Sequence, residues 1–260
     1  MTKDITLFGL IIAYSLLLIP LLIFKFLKIK LISDTIIAFL RMSIQLFLVG
    51  IYLKYIFELD NMWLNIAWAL IMIGVAAGTV IRRTGLKPRI FAVPIFLSIF
   101  TSLLLIDIAF LGFMIDIKYK FEARYFIPIS GMIIGNLMRA DVMAINEFYK
   151  KLKQESTLYQ FLLANGSSLF EALLPFMRSA IIVAMNPLLA STAVTGLIAL
   201  PGMMTGQLLG GSMPMTAIKY QIAIIITIFV AQVITIFLSL IFASRASFDS
   251  WGNLKNVFAK

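Results

Sequence analysis

The sequence predicts an all-α polytopic membrane protein with about seven transmembrane helices, and three observations predict it. Of its 260 residues, 62% are hydrophobic and 13% charged, with a mean hydropathy of +1.02. A soluble domain of that length cannot hide so much apolar surface, so lipid must be the solvent. The apolar residues also gather into runs matching the ~20 helical residues that cross a hydrocarbon core. Finally, the basic residues collect on one side of the alternation those runs define.

On this ruler the spans fall at residues 6–26, 34–53, 62–81, 90–113, 126–145, 188–211 and 217–243. The first run has the length of a signal peptide. However, its basic cluster, Lys25, Lys28 and Lys30, comes after the run, and no small-x-small cleavage site appears. It reads as a retained span with its N-terminus outside. The inner segments then hold Lys25, Lys28, Lys30, Arg82, Arg83, Lys87, Arg89, Arg139, Lys150, Lys151, Lys153, Arg178, Arg245, Lys255 and Lys260. The outer ones hold Lys3, Lys54, Lys118, Lys120, Arg124 and Lys219. Fifteen against six gives N-out and C-in. The net charge of +10 is therefore a record of topology. No domain-sized polar region exists to carry a nucleic-acid site, so no nucleic-acid partner is expected.

Residues 1–260 read as one membrane domain, and its sizeable polar segment, 148–187, lies inside. It opens on a basic patch and then places Phe148, Leu152, Tyr159, Leu162 and Leu163 at helical spacing. Asn165-Gly166 is a helix stop. Ser168-x-x-Glu171 is a capping-box pattern that starts another helix, with Pro175 as a kink and Asn186-Pro187 as its end. The prediction is helix, tight turn, helix at the cytoplasmic face.

The chain has no Cys and no His. That removes disulfides, thiol chemistry, the usual zinc ligands and imidazole proton relays. There is no G-x-x-x-x-G-K-[ST] loop and no dinucleotide-binding turn, so the chain is expected to bind no cofactor and to hydrolyse no ATP itself. Seven spans without an internal repeat argue against an inverted-repeat carrier. An intramembrane enzyme would have little equipment, and an ATP-independent carrier or channel would need coupling-ion groups of its own.

Several residues are candidates for a transport path. Asp107 is the one carboxylate well inside the expected spans and the best candidate to attract a cation. Arg41 and Gln45 share a face of the second span, and Arg41 either snorkels or lines a pathway. Asn136 either lines a path or bonds a neighbouring helix. Arg139 and Asp141 read as anchors at the inner end of the fifth span. In the stretch "LPGMMTGQLLGG", Pro201 should break the helix, leaving Gln207, Met203 and Met204 on a surface within the protein. The methionines are either soft ligands or flexible packing. Gly74 with Gly78, Gly131 with Gly135, and the double ridge Gly202, Gly206 and Gly210 are small-residue stripes that let helices approach closely, within one chain or between two.

"GLIALPGMMTGQLLGG", succeeded by Pro214 and "AIKYQI", resembles the signature of FetB-type ABC-transporter permeases, a family that includes plant half-transporters for aluminium tolerance. "RMSIQLFLVGIYLKYIF" at Arg41 and "GMIIGNLM" at Gly131 resemble its two other blocks, so the likeness spans nearly the whole chain. "ANGSSLFEALLPFMRSAI" is similar to the loop by which ABC permeases dock their ATPases, with Asn165-Gly166-Ser167-Ser168 standing where that loop has Gly-Ala-Ser/Thr. Gly166, Ser168, Glu171 and Arg178 take the coupling role by this likeness. The resemblance implies an inner-membrane permease working as a homodimer with two cytoplasmic ATPase subunits that use the ATP, exporting iron or another metal. The residues themselves, poor in metal ligands, suit transient oxygen coordination or a chelated substrate.

Overall fold

The computed structural model describes residues 5–114, 119, 121–249 and 251–259. Lys3, Lys118, Lys120 and Lys260 of the charge count lie outside the described residues. The elements are α1 (Leu7–Ser15), α2 (Leu18–Phe26), α3 (Ile32–Leu59), α4 (Met62–Thr84), α5 (Pro88–Ala109), α6 (Ala123–Gln154), α7 (Ser156–Ala164), α8 (Leu169–Val194), α9 (Gly202–Leu209) and α10 (Pro214–Ser247). A π-helical turn, Phe110–Met114, extends α5. Counting α1 with α2 and the π-turn with α5, seven stretches among the described residues are long and apolar enough to cross a membrane. The chain is an all-α, multi-pass membrane protein.

The turns are set by local chemistry. Asn61 starts α4 by accepting the Trp63 and Leu64 amides at 2.9 and 3.4 Å. Gly85, with φ of +67°, ends α4 in a left-handed turn where Leu86 donates to the Ile81 carbonyl at 3.1 Å. Pro88 then opens α5, where a missing amide costs nothing.

The count of seven matches the sequence, but the sixth span does not lie at 188–211. It is α8, which runs through both Pro175 and Pro187 as far as Val194. A proline inside a helix forfeits one backbone bond. In apolar surroundings no water competes for the rest, so the helix continues. Beyond Val194 come a non-helical stretch, the eight residues of α9 and then α10. The segment containing Pro201 is therefore a short return element between two spans.

Helices α4, α5, α6, α8 and α10 form the core. The buried stripe of α4 is Ala69, Ile73, Ala76, Ala77, Val80 and Thr84, at three- and four-residue spacing. Its alanines provide the close approach that lipid-embedded helices need. In contrast, α1 and α2 bury no residue and α3 only Ile56. Helix α3 meets the bundle through its C-terminal half, where the Tyr52 and Trp68 rings lie 4.5 Å apart.

At ~1.5 Å per residue, the 32 residues of α6 and 34 of α10 run about 48 and about 51 Å, well past a hydrocarbon core of ~30 Å. Their C-terminal ends carry Lys150, Lys151, Lys153 and Arg245 and join a platform with the α4–α5 turn, α7 and the start of α8. Residues 248–249 and 251–259 fold back across it. Lys87 donates its amide to Val257 at 2.9 Å and its Nζ to Asn256 at 2.7 Å, while Ala259 donates to Gly85 at 2.8 Å. Val257 is fully buried.

Candidate functional site

Inside this apolar bundle runs a polar seam shared by α5, α6 and α10. Its registers are fixed by hydrogen bonds. Nearest the platform, the Tyr149 and Ser247 hydroxyls are bonded. One level up, Ser239 donates to Asp141 Oδ2 at 3.0 Å and shares a 2.6 Å bond with Ser98. Above that, Gln232 Nε2 donates to the Asn136 carbonyl at 3.2 Å. Toward the far end, Ser130 donates to Asp107 Oδ2 at 2.8 Å. Helices α6 and α10 thus run in the same direction and α5 against both.

The seam is under-satisfied. Asp141 and Asp107 each keep Oδ1 buried without a partner, as do Gln232 through Oε1 and Thr235 through its hydroxyl. Asp141, Ser98, Ser130, Thr235 and Ser239 are fully buried. Among the described residues the only ion pair is the half-exposed Lys151–Glu155, so neither carboxylate has a basic partner there. Groups left bare in a lipid-embedded core are costly, and they mark sites that a proton, a cation or a polar solute can enter.

Asp141 is the residue that sequence reasoning misplaces. The pattern makes it an anchor at the end of a span at 126–145, but α6 continues to Gln154 and carries Asp141 into the core. The signal is there to read: Leu137, Asp141, Ala144, Ile145 and Phe148 share one helical face. Arg139 points the other way. It is exposed and donates to Asn136 Oδ1 at 3.0 Å, and the Asn136 amide donates back to the Met132 carbonyl at 2.9 Å. Asn136 and Arg139 line a groove of about 320 Å³ with Pro187, Ser191 and Gln232.

The other candidates are dispersed. Arg41 and Gln45 are exposed on the part of α3 that stands away from the bundle. Gly74 and Gly78 are exposed on α4, and a Cβ added at either, or at Gly135, meets nothing within 4 Å. Gly131 alone among these faces another helix, 3.6 Å from Met72 Sδ. Pro201 is the residue before α9 rather than a kink within it. Gly202, Gly206 and Gly210 lie exposed on α9, and an added Cβ at Gly202 or Gly206 meets nothing. Met203 packs on the core, Met204 is half-buried, and Gln207 Oε1 is buried without a partner.

At the platform, α7 ends in a Schellman turn. Gly166 has φ of +86°, Ser167 donates to Leu162 O at 3.1 Å and Gly166 to Leu163 O at 3.0 Å. Ser168 and Glu171 then form a full capping box, with Ser168 N 2.8 Å from Glu171 Oε2 and Glu171 N 3.4 Å from Ser168 Oγ. Arg178 is exposed two turns further along α8. The helix-turn-helix is present, and its second helix is the start of a span.

No group of three or more His, Cys, Asp or Glu that could hold a metal ion occurs among the described residues. No solved structure matches the chain. It is similar to "UPF0014 membrane protein YjkA" of Bacillus subtilis, 33% identical over 84% of this chain and 86% of that one. It is 31% identical to "Probable iron export permease protein FetB" of Escherichia coli, over 86% of this chain and 85% of that one. It is 32% identical to "Protein ALUMINUM SENSITIVE 3" of Arabidopsis thaliana, over 71% of this chain and 66% of that one. The profile of the "Uncharacterised protein family (UPF0014)" matches residues 7–248, almost the whole seven-helix body, and the chain belongs to that family.

Proposed function

We propose that this chain is the permease subunit of an ABC transporter, driven by a separate cytoplasmic ATPase and exporting iron or another metal as an oxygen-coordinated species. It forms a homodimer in the membrane and binds no nucleotide itself. The observation that carries the coupling is the capped turn between α7 and α8. It holds Leu158, Phe161 and Phe170 at 41, 62 and 50% exposure on the basic platform. An apolar knob on a turn locked by a Schellman motif and a capping box has the build of a helix that docks into a groove. The relative named as an iron export permease supports the cargo.

The test is co-purification of the chain with an ABC ATPase encoded beside it, and ATP hydrolysis by the reconstituted pair against a panel of metals and chelates. Phe161→Glu with Phe170→Glu should abolish both the complex and the stimulated hydrolysis while the variant still reaches the membrane. Retention of the complex would place docking elsewhere. One observation favours a second reading, an ATP-independent carrier for a small cation: the two buried carboxylates, Asp107 and Asp141. Uptake into vesicles holding this chain without any ATPase would select that reading.

A further inference from the structure

Between α4, α5, the π-turn and α6 lies a cavity of about 400 Å³, within the ~300–1,000 Å³ of small-molecule sites. Its walls are apolar, with Ile73, Phe100, Leu103, Leu111 and Phe126 among them, and among the described residues they hold a single ionisable side chain, Asp107. Asp107 is 8% exposed, and Ser130 occupies only its Oδ2. Oδ1 is buried with no partner. The carboxyl torsion of Asp is soft, so a small rotation presents Oδ1 to the cavity. The π-turn beside it is a departure from α geometry of a kind that recurs at functional sites.

The chemistry of this wall selects the occupant. A bare metal ion is poorly served, because a hard divalent cation takes ~6 or more oxygen ligands and the described residues of the wall offer one carboxylate. A neutral apolar body fills the volume but leaves Oδ1 unpaired, at the cost of a bare acceptor in a low-dielectric surrounding. An anion is repelled. We propose that this cavity binds an amphipathic organic cation, with its positive head on Asp107 and its apolar body against Phe100 and Phe126. Exposed Leu104 and Ile108 form the mouth, so the ligand enters sideways from the bilayer. The site is independent of ATPase coupling and of the metal cargo.

The experiment is saturation binding of radiolabelled tetraphenylphosphonium to the purified full chain in detergent, with competition by dodecyltrimethylammonium and by dodecanol. The expected result is saturable binding, displaced by the ammonium compound and not by the alcohol. Asp107→Asn should weaken it about thirty-fold or more, the scale for removing one partner of a buried charge pair. Ile108→Trp, at the exposed mouth, should block entry without touching the carboxylate, and so decides the matter if Asp107→Asn fails to fold. Non-saturable binding, unchanged affinity in a folded Asp107→Asn or in Ile108→Trp, or equal displacement by dodecanol (a cavity for lipid tails) would each overturn the proposal.

Discussion

The hydroxyl of Tyr159 on α7 donates a 2.6 Å hydrogen bond to the carbonyl of Gly252 in the C-terminal tail. This bond ties the tail to the same short helix that carries the exposed Phe161. Gly252 is held by geometry as well, since its φ is +78° and an added Cβ would lie 3.0 Å from Leu163 Cδ1. Asp249 completes the turn by accepting the Asn253 and Trp251 amides at 2.8 and 2.9 Å.

Loosening this tie should free the tail without unfolding the bundle. Tyr159→Phe removes one donor, worth about 1 kcal/mol net. Gly252→Ala adds left-handed strain of about 1–2 kcal/mol. Both should speed proteolytic cleavage within 248–259, with Gly252→Ala the stronger. The Asn253 amide holds the Asp249 carboxyl below its ordinary value. A depressed carboxylate stabilises the fold above the unfolded pKa of ~3.9 and loses that contribution as pH falls below it, so the tail should loosen first in acid. Equal cleavage rates in parent and variants would show that the tail is held by its apolar contacts alone.

The buried pair Ser239 and Asp141 should behave asymmetrically. Ser239→Ala strips Asp141 of its only hydrogen-bond donor among the described residues and should cost about 1–3 kcal/mol. Ser239→Ala combined with Asp141→Leu removes both partners and should recover most of that loss, since an apolar replacement of a buried polar pair is often neutral or better. Thermal unfolding of the two single variants and the double variant in detergent gives the cycle. Additive losses would mean the two residues are not coupled.

Two residues show how far the sequence discloses this structure. Asp107 is visible because it interrupts a long apolar run, where any carboxylate stands out. Asp141 is not, because "LMRADVMAINEFYKK" mixes charges with its apolar residues and reads as the fraying end of a span. Only the count of helical turns from Leu137 to Phe148 places it on the buried face. The sixth span is hidden for a related reason. Asn186-Pro187 carries a stop signal calibrated on water-exposed helices, and α8 ignores it in an apolar setting. Seven spans are still counted, because losing most of α8, residues 169–187, is balanced by borrowing α9. Tertiary facts leave no local trace at all: the glycine stripes of α4 and α9 face outward, and alanines make the buried contacts.

The outward stripe of α9 yields a prediction about assembly. Within one chain, a Cβ at Gly206 meets nothing within 4 Å, so Gly206→Leu should leave the stability of the isolated chain unchanged. If the stripe is the seam of the proposed homodimer, overpacking of about 1–3 kcal/mol falls on the interface alone. The dimer fraction after cross-linking should then drop while the unfolding midpoint of the monomer stays put. A Gly166→Leu variant is the contrast. Its φ of +86° makes any side chain strained, so it should lower stability without touching assembly. An unchanged dimer in Gly206→Leu would remove α9 from the seam.

The absence of cysteine makes orientation directly measurable, since each engineered thiol reports without background. The platform carries Arg82, Arg83, Lys87, Arg89, Lys150, Lys151, Lys153 and Lys255. The opposite end, with the α3–α4 turn, the start of α6 and the return element, carries Lys54, Arg124 and Lys219. Short loops obey the positive-inside bias, and the orientation proposed on that ground has the platform and tail in the cytoplasm and α9 outside. Ser212→Cys, in the exposed turn after α9, should react with a membrane-impermeant maleimide on intact cells. Asn256→Cys, in the tail, should react only after permeabilisation. Leu197→Cys, at 90% exposure in the turn before α9, should behave like Ser212→Cys and not like the tail. If Ser212→Cys is silent and Asn256→Cys reacts on intact cells, the protein is inverted. The α7–α8 knob would then face away from every cytoplasmic ATPase, and the coupling proposal would fall with it.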